Sequence, residues 1–289
     1  MMNASNFSDI MLPIVLIVIM FGMGLSLTLK DFKRIIFHPK PIATGLIAQM
    51  VALPVIAFLL IGFTGLDPVI KVGFILVAAC PGGTAANLIV YLLNGRIALS
   101  VSLTAINSLL ILITLPLIVN LALLVFLGQT TEITLPVMDT ILKILYTVII
   151  PVFTGIYIRR KYPQLSDKIQ KPLKYIMVSL LFLVFAIIII FEEQKAGGGI
   201  SSYMNVIPWA FALNVTAIFA SYYFSSGLKL KKPDNYTISI EVGMQNSALA
   251  IYVASSLLEN QQMAVVAVIY SSFTFFSTAL FGYLLKKYF

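Results

Sequence analysis

The sequence predicts an all-α polytopic membrane protein, because its composition is too apolar for a soluble domain and its apolar runs have the length of membrane spans. Of its 289 residues, 60% are hydrophobic and 10% are charged, whereas soluble domains carry about 25% charged residues. A helix crosses a bilayer with roughly 20 apolar residues. A run such as 180–190 does not alternate apolar and polar side chains, so membrane β-barrel strands are not expected.

Nine transmembrane spans are predicted, and the positions of the basic residues support that number. Apart from Lys71, Lys143 and Lys195, all of the 19 Lys and Arg residues fall in alternate loops or at the C-terminal end. Positive loops stay in the cytoplasm, so we expect the N-terminus outside and the C-terminus in the cytoplasm, and in a bacterium the inner membrane. The net charge of +8 then reflects topology and not nucleic-acid binding. The predicted spans are about 10–29, 41–62, 70–93, 97–124, 137–158, 173–191, 204–227, 236–258 and 263–285.

The first two spans carry small or polar residues for which a structural role is favoured. Gly22 and Gly24 in span one are typical of membrane helices that pack closely. Gln49 in span two lies among apolar neighbours. A lone Gln in a membrane helix more often forms an interhelical hydrogen bond than binds a ligand. The residues alone therefore favour packing and hydrogen bonding at these positions.

Span three contains a predicted helix break in the stretch Cys80-Pro81-Gly82-Gly83-Thr84-Ala85-Ala86-Asn87. Pro81 has no backbone N–H to donate, and Gly82 and Gly83 disfavour helix. About eight residues precede the break and about nine follow it, which places it near the bilayer midplane. Thr84 is expected to cap the second half-helix, whose free N–H groups and positive dipole end favour an anion. A simple proline kink is the alternative, but Thr and Asn after Pro-Gly-Gly favour an unwound segment.

Span four follows a tight Asn94-Gly95 turn and carries polar residues on one face. Ser100 and Thr104 are four residues apart and therefore share a helix face, with Asn107 and Ser108 beyond them. Hydroxyl groups in helices often bond their own backbone instead of lining a site. Polar residues in the later spans could equally pack against other helices or line a water-filled cavity. They are Asn205, Asn214, Thr216, Ser271, Ser272, Thr274, Ser277 and Thr278.

Span eight contains the most informative stretch, Glu241-Val242-Gly243-Met244-Gln245-Asn246-Ser247. Glu241 is the one carboxylate well inside a hydrophobic segment, and a charge at that depth indicates a functional site. Gly243 allows the backbone to leave helical geometry. The amide and hydroxyl oxygens that follow suit a hard cation. Na⁺ is favoured over H⁺, because the neighbouring groups are neutral oxygens and not a chain of titratable side chains.

The two interrupted helices occupy matching positions in an inverted repeat. Spans three and eight are five spans apart and therefore cross the membrane in opposite directions. Spans five to nine form one five-helix repeat, and spans one to four form the other without its first helix. Such paired broken helices indicate a transporter, in which freed carbonyls coordinate a cation and half-helix N-termini face an anion. The repeat rests on position alone, since the two halves show no residue similarity.

Three motifs in these spans resemble those of the bile acid:sodium symporter family. They are Cys-Pro-Gly-Gly-Thr-Ala-Ala-Asn at 80–87, Ala-Leu-Ser-Val-Ser-Leu-Thr at 98–104 and Glu-Val-Gly-Met-Gln-Asn-Ser at 241–247, and residues 20–24 and 47–49 match as well. The resemblance covers nearly the whole chain. It implies one transmembrane unit, residues 1–289, in which spans three and eight cross in a core domain packed against a panel domain. The core would comprise about 70–127 and 204–285, and the panel about 10–62 and 137–191.

The resemblance also implies an activity and its site residues. The expected activity is Na⁺-coupled import of an organic anion by alternating access, with no enzymatic activity and no cofactor besides two coupling Na⁺ ions. The substrate would be bile-acid-like or a small carboxylate such as pantoate, and the partners would be Na⁺, this anion and the lipid bilayer, with the chain a monomer. The first Na⁺ would bind Asn87, Ser100, Thr104 and Glu241. The second Na⁺ would bind Gln49, Glu241, Gln245 and the carbonyls of Val242 and Met244. The substrate would bind Thr84 and Asn246, beside helix breaks at Pro81, Gly82, Gly83 and Gly243.

Two positions depart from the family pattern. Ala86 stands where relatives often have Ser, which removes one side-chain ligand from the implied first Na⁺ site. Early in the last helix, relatives often have Trp-His-Asn, whereas this chain has Phe273-Thr274-Phe275. A bile-acid-like contact at that point therefore lacks its usual residues.

Two other classes of function are weighed against the symporter. An intramembrane enzyme needs a nucleophile–base pair or a metal cluster within the spans. This chain has one cysteine (Cys80), one histidine in a basic loop (His38) and, besides Glu241, only Asp139 near a span end as an in-span carboxylate. A passive channel, or a Na⁺-dependent sensor on a transporter scaffold, is compatible with broken helices. Saturable, concentrative uptake would exclude a channel.

Overall fold

The computed structural model describes residues 10–128, 136–196 and 203–288. Within these ranges the chain is helical and contains no β-strand, so the all-α prediction is confirmed. In chain order the helices are α1 Leu12–Ser26, α2 Leu29–Phe37, α3 Pro39–Gly62, α4 Pro68–Ala79, α5 Thr84–Leu92, α6 Ile97–Leu127, α7 Val137–Lys161, α8 Pro163–Ala196, α9 Val206–Gly227, α10 Lys232–Gly243, α11 Ser247–Tyr252 and α12 Gln261–Tyr288.

Length and composition identify the membrane-crossing helices. In the described part of the chain, α3, α6, α7, α8, α9 and α12 are each long and apolar enough to span a bilayer. The pair α4 and α5 passes the same test as one span that bends by 62°. The chain is therefore an integral multi-pass membrane protein. The number of nine spans stays a prediction, because α1 is shorter than these helices and α10 and α11 are separate short helices. The orientation of the termini also stays a prediction.

Two stretches predicted as basic loops are helical instead. Residues 30–40 contain most of α2, a nine-residue helix with charged and apolar faces. Residues 163–172 belong to α8, which begins ten residues before the predicted span, with Pro163 at its first position. Proline is well tolerated there because the first helical N–H groups have no intrahelical acceptor. The connection between predicted spans six and seven is also helical at its start, because α8 continues to Ala196, and residues 197–202 lie outside the described part of the chain.

Three wide π-helical turns interrupt the regular helices, and the sequence analysis did not foresee them. A π turn holds one extra residue per turn and occurs often at functional sites. In α3 and α7 the turn is followed closely by Pro54 and Pro151, which cannot donate a backbone hydrogen bond. The turns are Ala48–Ala52 in α3, Leu145–Ile149 in α7 and Val253–Leu257 directly after α11.

Glycines let α1 and α7 pack with their backbones in contact. A Cβ atom at Gly155 would lie 2.6 Å from the backbone nitrogen of Leu25 and from the carbonyl oxygen of Phe21. A Cβ atom at Gly24 would likewise overlap the carbonyl group of Val152. The small residues of span one therefore serve helix packing, as predicted.

The helices form two groups according to their packing partners. α1, α7 and α8 pack on one another, and α4, α6, α9, α10 and α12 form the second group. α3, which the resemblance assigns to the panel domain, packs on α4, α6, α9 and α10. The close contact with α6 depends on Gly45, where a Cβ atom would lie 2.6 Å from the Leu103 side chain.

The tight turn between α5 and α6 is attached to the start of α10. The Tyr236 hydroxyl donates to the carbonyl of Asn94 at 2.9 Å, and the backbone N–H of Arg96 donates to Thr237 Oγ1 at 2.9 Å. The Arg96 guanidinium forms an ion pair with the buried carboxylate of Asp234 at 2.9 Å. These three contacts join the two interrupted helices at one end.

Candidate functional site

The two interrupted helices meet at their breaks, residues 80–83 (the first break) and residues 244–246 (the second break). The backbone N–H of Asn246 donates to the carbonyl of Cys80 at 3.1 Å. At Gly82 the backbones are so close that a Cβ atom would lie 2.5 Å from the Met244 carbonyl oxygen and 3.1 Å from that of Glu241. A glycine is therefore required at position 82. We call this region the crossing.

The first break leaves the start of α5 without a side-chain cap. Pro81, Gly82 and Gly83 all lie in the break, as predicted. Gly83, with extended backbone (φ −127°, ψ −161°), is the N-cap residue, and no side chain accepts from the first N–H groups of α5. Thr84 was expected to be the cap, and this was wrong. Thr84 already has a place in the first helical turn, whereas a capping residue must precede the helix in an extended conformation.

The second break begins one residue later than Gly243. α10 continues through Gly243, and the chain becomes extended at Met244 (φ −104°, ψ 113°). The glycine at 243 serves packing, because a Cβ atom there would lie 2.6 Å from the Ile218 side chain. Asn246 then caps α11 by accepting a hydrogen bond from the backbone N–H of Leu249 at 3.2 Å.

Glu241 is fully buried and bonded to the hydroxyl groups of α6. Ser100 Oγ donates to Glu241 Oε1 and lies 2.5 Å from Asn87 Oδ1, while Thr104 Oγ1 lies 3.4 Å from Glu241 Oε2. These four residues, the Glu241 cluster, are the set predicted for the first Na⁺. The neighbouring hydroxyl of Ser102 instead bonds its own helix backbone. The sequence left two roles open for Ser100 and Thr104, a bond to their own helix backbone or a place in a site. The structure shows both hydroxyl groups in contact with Glu241.

A second set of oxygens lies around the second break. Gln49 Nε2 donates to the carbonyl of Glu241 at 3.0 Å, and Gln245 Nε2 donates to the carbonyl of Val242 at 2.6 Å. Gln49 also fulfils the predicted interhelical role, since Asn107 Nδ2 donates to Gln49 Oε1 at 2.5 Å. Gln49 reaches the crossing from the π turn of α3. The residues predicted for the second Na⁺ are thus brought together around the second break.

The carbonyl of Gly243 is held by side chains that the sequence analysis did not assign to the site. Asn214 Nδ2 donates to it at 2.8 Å and the Tyr270 hydroxyl at 3.0 Å. Ser277 Oγ donates to Asn214 Oδ1 at 2.7 Å, and Asn214 Nδ2 also lies 3.2 Å from Thr278 Oγ1. Part of the hydroxyl-rich face of the last helix is therefore buried against α9 and α10. Asn214 was left open between packing and a cavity, and no sequence signal marked Tyr270.

The two residues predicted for the substrate lie beside the two breaks. Thr84 and Asn246 are both partly exposed, in contrast to the buried residue Glu241. A Cβ atom at Gly83 would lie 3.9 Å from Asn246 Nδ2 and 3.5 Å from the Cε atom of Met23 on α1. Asn246 and α1 therefore both approach the first break at Gly83.

The electrostatics of the crossing favour a cation beside Glu241. Within the described residues, neither ion pair involves Glu241 and no three His, Cys, Asp or Glu side chains come together. A carboxylate in a membrane interior is costly unless it is paired or hydrogen-bonded. Hydroxyl, amide and carbonyl oxygens surround Glu241, and such oxygens fit a hard monovalent cation. Gln245 Oε1 and Asn107 Oδ1 are buried without a hydrogen-bond partner and add two acceptors.

Comparisons with known proteins agree with this geometry. Residues 13–196 match the model of the sodium bile acid symporter family. The chain is 31% identical over 251 residues to a probable chloroplastic sodium/metabolite cotransporter of Arabidopsis thaliana, covering 86% of this chain and 60% of that protein. It is 32% identical over 240 residues to an uncharacterized sodium-dependent transporter of Bacillus subtilis, covering 83% and 72%. It is 28% identical over 298 residues to the human ileal sodium/bile acid cotransporter, covering 96% and 81%. The chain thus spans about 60% of the length of the plant relatives.

Proposed function

The chain belongs to the sodium bile acid symporter family, and on this premise we propose that it imports an organic anion together with Na⁺ by alternating access. Its relatives are sodium-coupled cotransporters and not enzymes. The observation that carries the proposal is the fully buried Glu241, which is bonded only to neutral groups at the crossing of two interrupted helices. Two broken helices that meet in a membrane protein are the usual site of ion and substrate binding.

Two Na⁺ sites share the Glu241 carboxyl group in this proposal. The first uses the Glu241 cluster, in which Asn87, Ser100 and Thr104 supply oxygens. Ala86 supplies none, so this site has one side-chain oxygen fewer than many relatives. The second uses Gln49, Gln245 and the carbonyls of Val242 and Met244. In both, Glu241 supplies the negative charge.

The anion would bind at the first break. No side chain caps the first N–H groups of α5, of which that of Ala86 donates to the Gly83 carbonyl at 3.1 Å, and a helix N-terminus attracts negative charge. Thr84 and Asn246 are partly exposed beside the breaks and can donate further hydrogen bonds. No Arg is available within the predicted spans, so the anion depends on these groups and on the nearby Na⁺ ions. A bile-acid-like molecule or a small carboxylate such as pantoate fits this chemistry.

Alternating access would come from movement between the two helix groups. We propose that α1, α7 and α8 form the panel and that the second group forms the core. We place α3 with the core, since its packing partners and Gln49 lie there. Met23 of α1 approaches the first break at Gly83, and a relative movement of the two groups there would change access from one side to the other. One chain supplies every residue of the proposed site, so a monomer suffices for transport. We place the N-terminus outside.

The driving force is sufficient for accumulation. Each Na⁺ that moves down a tenfold gradient contributes roughly 1.4 kcal/mol. One net positive charge that enters across 100 mV adds roughly 2.3 kcal/mol. Two Na⁺ with one monovalent anion therefore supply about 5 kcal/mol, which corresponds to nearly four decades of accumulation.

Uptake into liposomes tests the proposal. Purified protein is reconstituted, and labelled taurocholate and labelled pantoate are each offered with an inward Na⁺ gradient or with K⁺ in its place. We expect saturable uptake of one of them above its outside concentration with Na⁺ only. Equal uptake with K⁺ would overturn the Na⁺ coupling, and flux that never exceeds equilibrium would indicate a channel.

A further inference from the structure

Gln49 and Asn107 form a pair of buried side-chain amides at the edge of the second break. Gln49 is 1% exposed and Asn107 is 0% exposed. Asn107 Nδ2 donates to Gln49 Oε1 at 2.5 Å, but Asn107 Oδ1 has no hydrogen-bond partner. Buried amide oxygens are almost always paired, so an unpaired one requires an explanation.

The same pair keeps Gln49 in an orientation that excludes a cation. Gln49 Nε2 donates to the carbonyl of Glu241 at 3.0 Å. The Gln49 amide group therefore covers a carbonyl beside the proposed second Na⁺ site, and Gln49 Oε1 faces away from that site. Gln49 Oε1 becomes a ligand only if the amide rotates by half a turn, and Nε2 must then find a new acceptor. The unpaired Asn107 Oδ1 is that acceptor.

We propose that the amides of Gln49 and Asn107 reverse together when a cation binds at the second break. Asn107 is then a positioning residue for Gln49, and this inference rests on the proposed function. In the reversed arrangement, Gln49 Nε2 donates to Asn107 Oδ1, and both Gln49 Oε1 and the Glu241 carbonyl face the cation. One hydrogen bond joins the two amides in each state, with Asn107 Nδ2 as the donor before the reversal and Gln49 Nε2 as the donor after it. The Gln49 amide is therefore satisfied in both states.

Another amide at this break, Asn214, lacks this freedom. Ser277 Oγ donates to Asn214 Oδ1 at 2.7 Å and also lies near its own helix carbonyl of Thr274 at 3.3 Å. The amide hydrogens of Asn214 are thereby directed to the Gly243 carbonyl. Gly243 therefore keeps its carbonyl out of the ion site, whereas the Glu241 carbonyl is released by the Gln49 reversal.

A double-mutant cycle tests the reversal. The Asn107→Asp carboxylate accepts hydrogen bonds but cannot donate to Gln49 Oε1, so it favours the orientation of Gln49 that binds the cation. Apparent Na⁺ affinity is measured by thermal stabilisation of purified protein for wild type, Asn107→Asp, Gln49→Leu and the double variant. The added charge attracts Na⁺ in both backgrounds, and only the coupling between the two residues reports the reversal.

We expect Asn107→Asp to tighten Na⁺ binding by about tenfold with Gln49 present and by about twofold in Gln49→Leu. Equal effects in both backgrounds would show a purely electrostatic contribution and overturn the reversal. A wild-type protein that does not respond to Na⁺ would instead overturn the proposed function. Ser108→Ala is the matched control, because Ser108 is the buried neighbour on α6 whose hydroxyl bonds the Thr104 carbonyl, and it should leave Na⁺ affinity unchanged.

A spectroscopic measurement covers the case in which Asn107→Asp does not fold. Protein with ¹³C-labelled asparagine side-chain carbonyls is studied by infrared difference spectroscopy, with Na⁺ minus K⁺. The reversal gives Asn107 Oδ1 a hydrogen-bond donor, so Na⁺ should lower the frequency of one asparagine carbonyl band. That change should be missing in Asn107→Ser. A Na⁺ difference spectrum that is identical in the two proteins would overturn the inference.

Discussion

The two breaks at the crossing have opposite chemistry. At the first break, the N-cap is Gly83, and the N–H groups at the start of α5 have no side-chain acceptor. At the second break, Asn246 caps α11, and the carbonyls at the end of α10 are covered by the amides of Gln49, Gln245 and Asn214. One break therefore offers donors, and the other offers acceptors together with the carboxylate of Glu241.

This difference would allow one crossing to bind the cation and the anion of the proposed function. A break frees N–H groups on one side and carbonyls on the other. Here the residues around each break decide which of them stays available. Glycines at the first break leave the N–H groups accessible, whereas Glu241 and the amide side chains around it supply oxygens at the second break. Substitutions can therefore change the two breaks separately.

The largest effect is expected for Glu241→Gln at the second break. The amide oxygen can still accept from Ser100, but the NH2 group that replaces the second oxygen cannot accept from Thr104, and the charge that attracts Na⁺ is lost. A charged hydrogen-bonding group contributes about 1.5–3 kcal/mol, so Na⁺-driven uptake should fall by about 100-fold. Without Na⁺ the variant should unfold near the wild-type midpoint, because the substitution keeps the size of the side chain and one of its two hydrogen bonds. Undiminished Na⁺ dependence would exclude Glu241 from the ion site.

A comparison of two adjacent glycines tests the geometry of the first break. A Cβ atom at position 82 would lie 2.5 Å from the Met244 carbonyl, whereas one at position 83 meets nothing closer than 3.5 Å. Overpacking costs about 1–3 kcal/mol, so Gly82→Ala should lower the thermal midpoint and weaken Na⁺ binding, while Gly83→Ala should change neither. Similar thermal midpoints and Na⁺ affinities for the two variants would show that the backbones do not touch at Gly82.

Asn246→Ala and Thr84→Ala separate capping from substrate binding. Asn246 caps α11, and loss of a cap costs about 1 kcal/mol. Thr84 caps nothing, so its replacement should leave the thermal midpoint unchanged. Both should raise the KM for the anion in uptake assays, because both border the proposed anion site. An unchanged KM in Thr84→Ala would remove that residue from the anion site.

The smallest effect is expected for Tyr270→Phe. The hydroxyl donates to the Gly243 carbonyl, but Asn214 donates to the same oxygen. The loss should be about 0.5 kcal/mol, at the low end for one hydrogen bond, and is measured as a small fall in the thermal midpoint. Asn214→Leu should destabilise more, since it also leaves Ser277 without its acceptor. The reverse order would mean that Tyr270 is the main partner of Gly243.

Local sequence features predicted the all-α fold class and placed both breaks to within one residue. Apolar runs indicate the helices, Pro81 with two glycines indicates the first break, and Gly243 indicates the second, which begins at Met244. Ser100 and Thr104 could be placed on one face from their spacing alone. Each of these conclusions depends on residues that are close in the sequence.

Features that depend on distant residues could not be predicted. The contacts of Gln49 with Glu241, and of Asn214 with Gly243, join separate helices. The π turn that carries Gln49 has no clear sequence signal besides the nearby Pro54. Asn107 lies on the same face as Thr104, but its unpaired oxygen is visible only in the packed structure. Thr84 was misassigned because the helix begins at it and not after it.

The most direct test of the division between the breaks is a Na⁺ titration of thermal stability. Purified wild type, Thr84→Ala and Glu241→Gln are heated in rising NaCl or KCl at constant ionic strength. Selective binding at 100 times the dissociation constant stabilises by about 2.7 kcal/mol. We predict that Na⁺, but not K⁺, raises the thermal midpoint of wild type and Thr84→Ala and leaves Glu241→Gln unchanged. Equal stabilisation by K⁺, or full Na⁺ stabilisation of Glu241→Gln, would contradict a cation site at the second break.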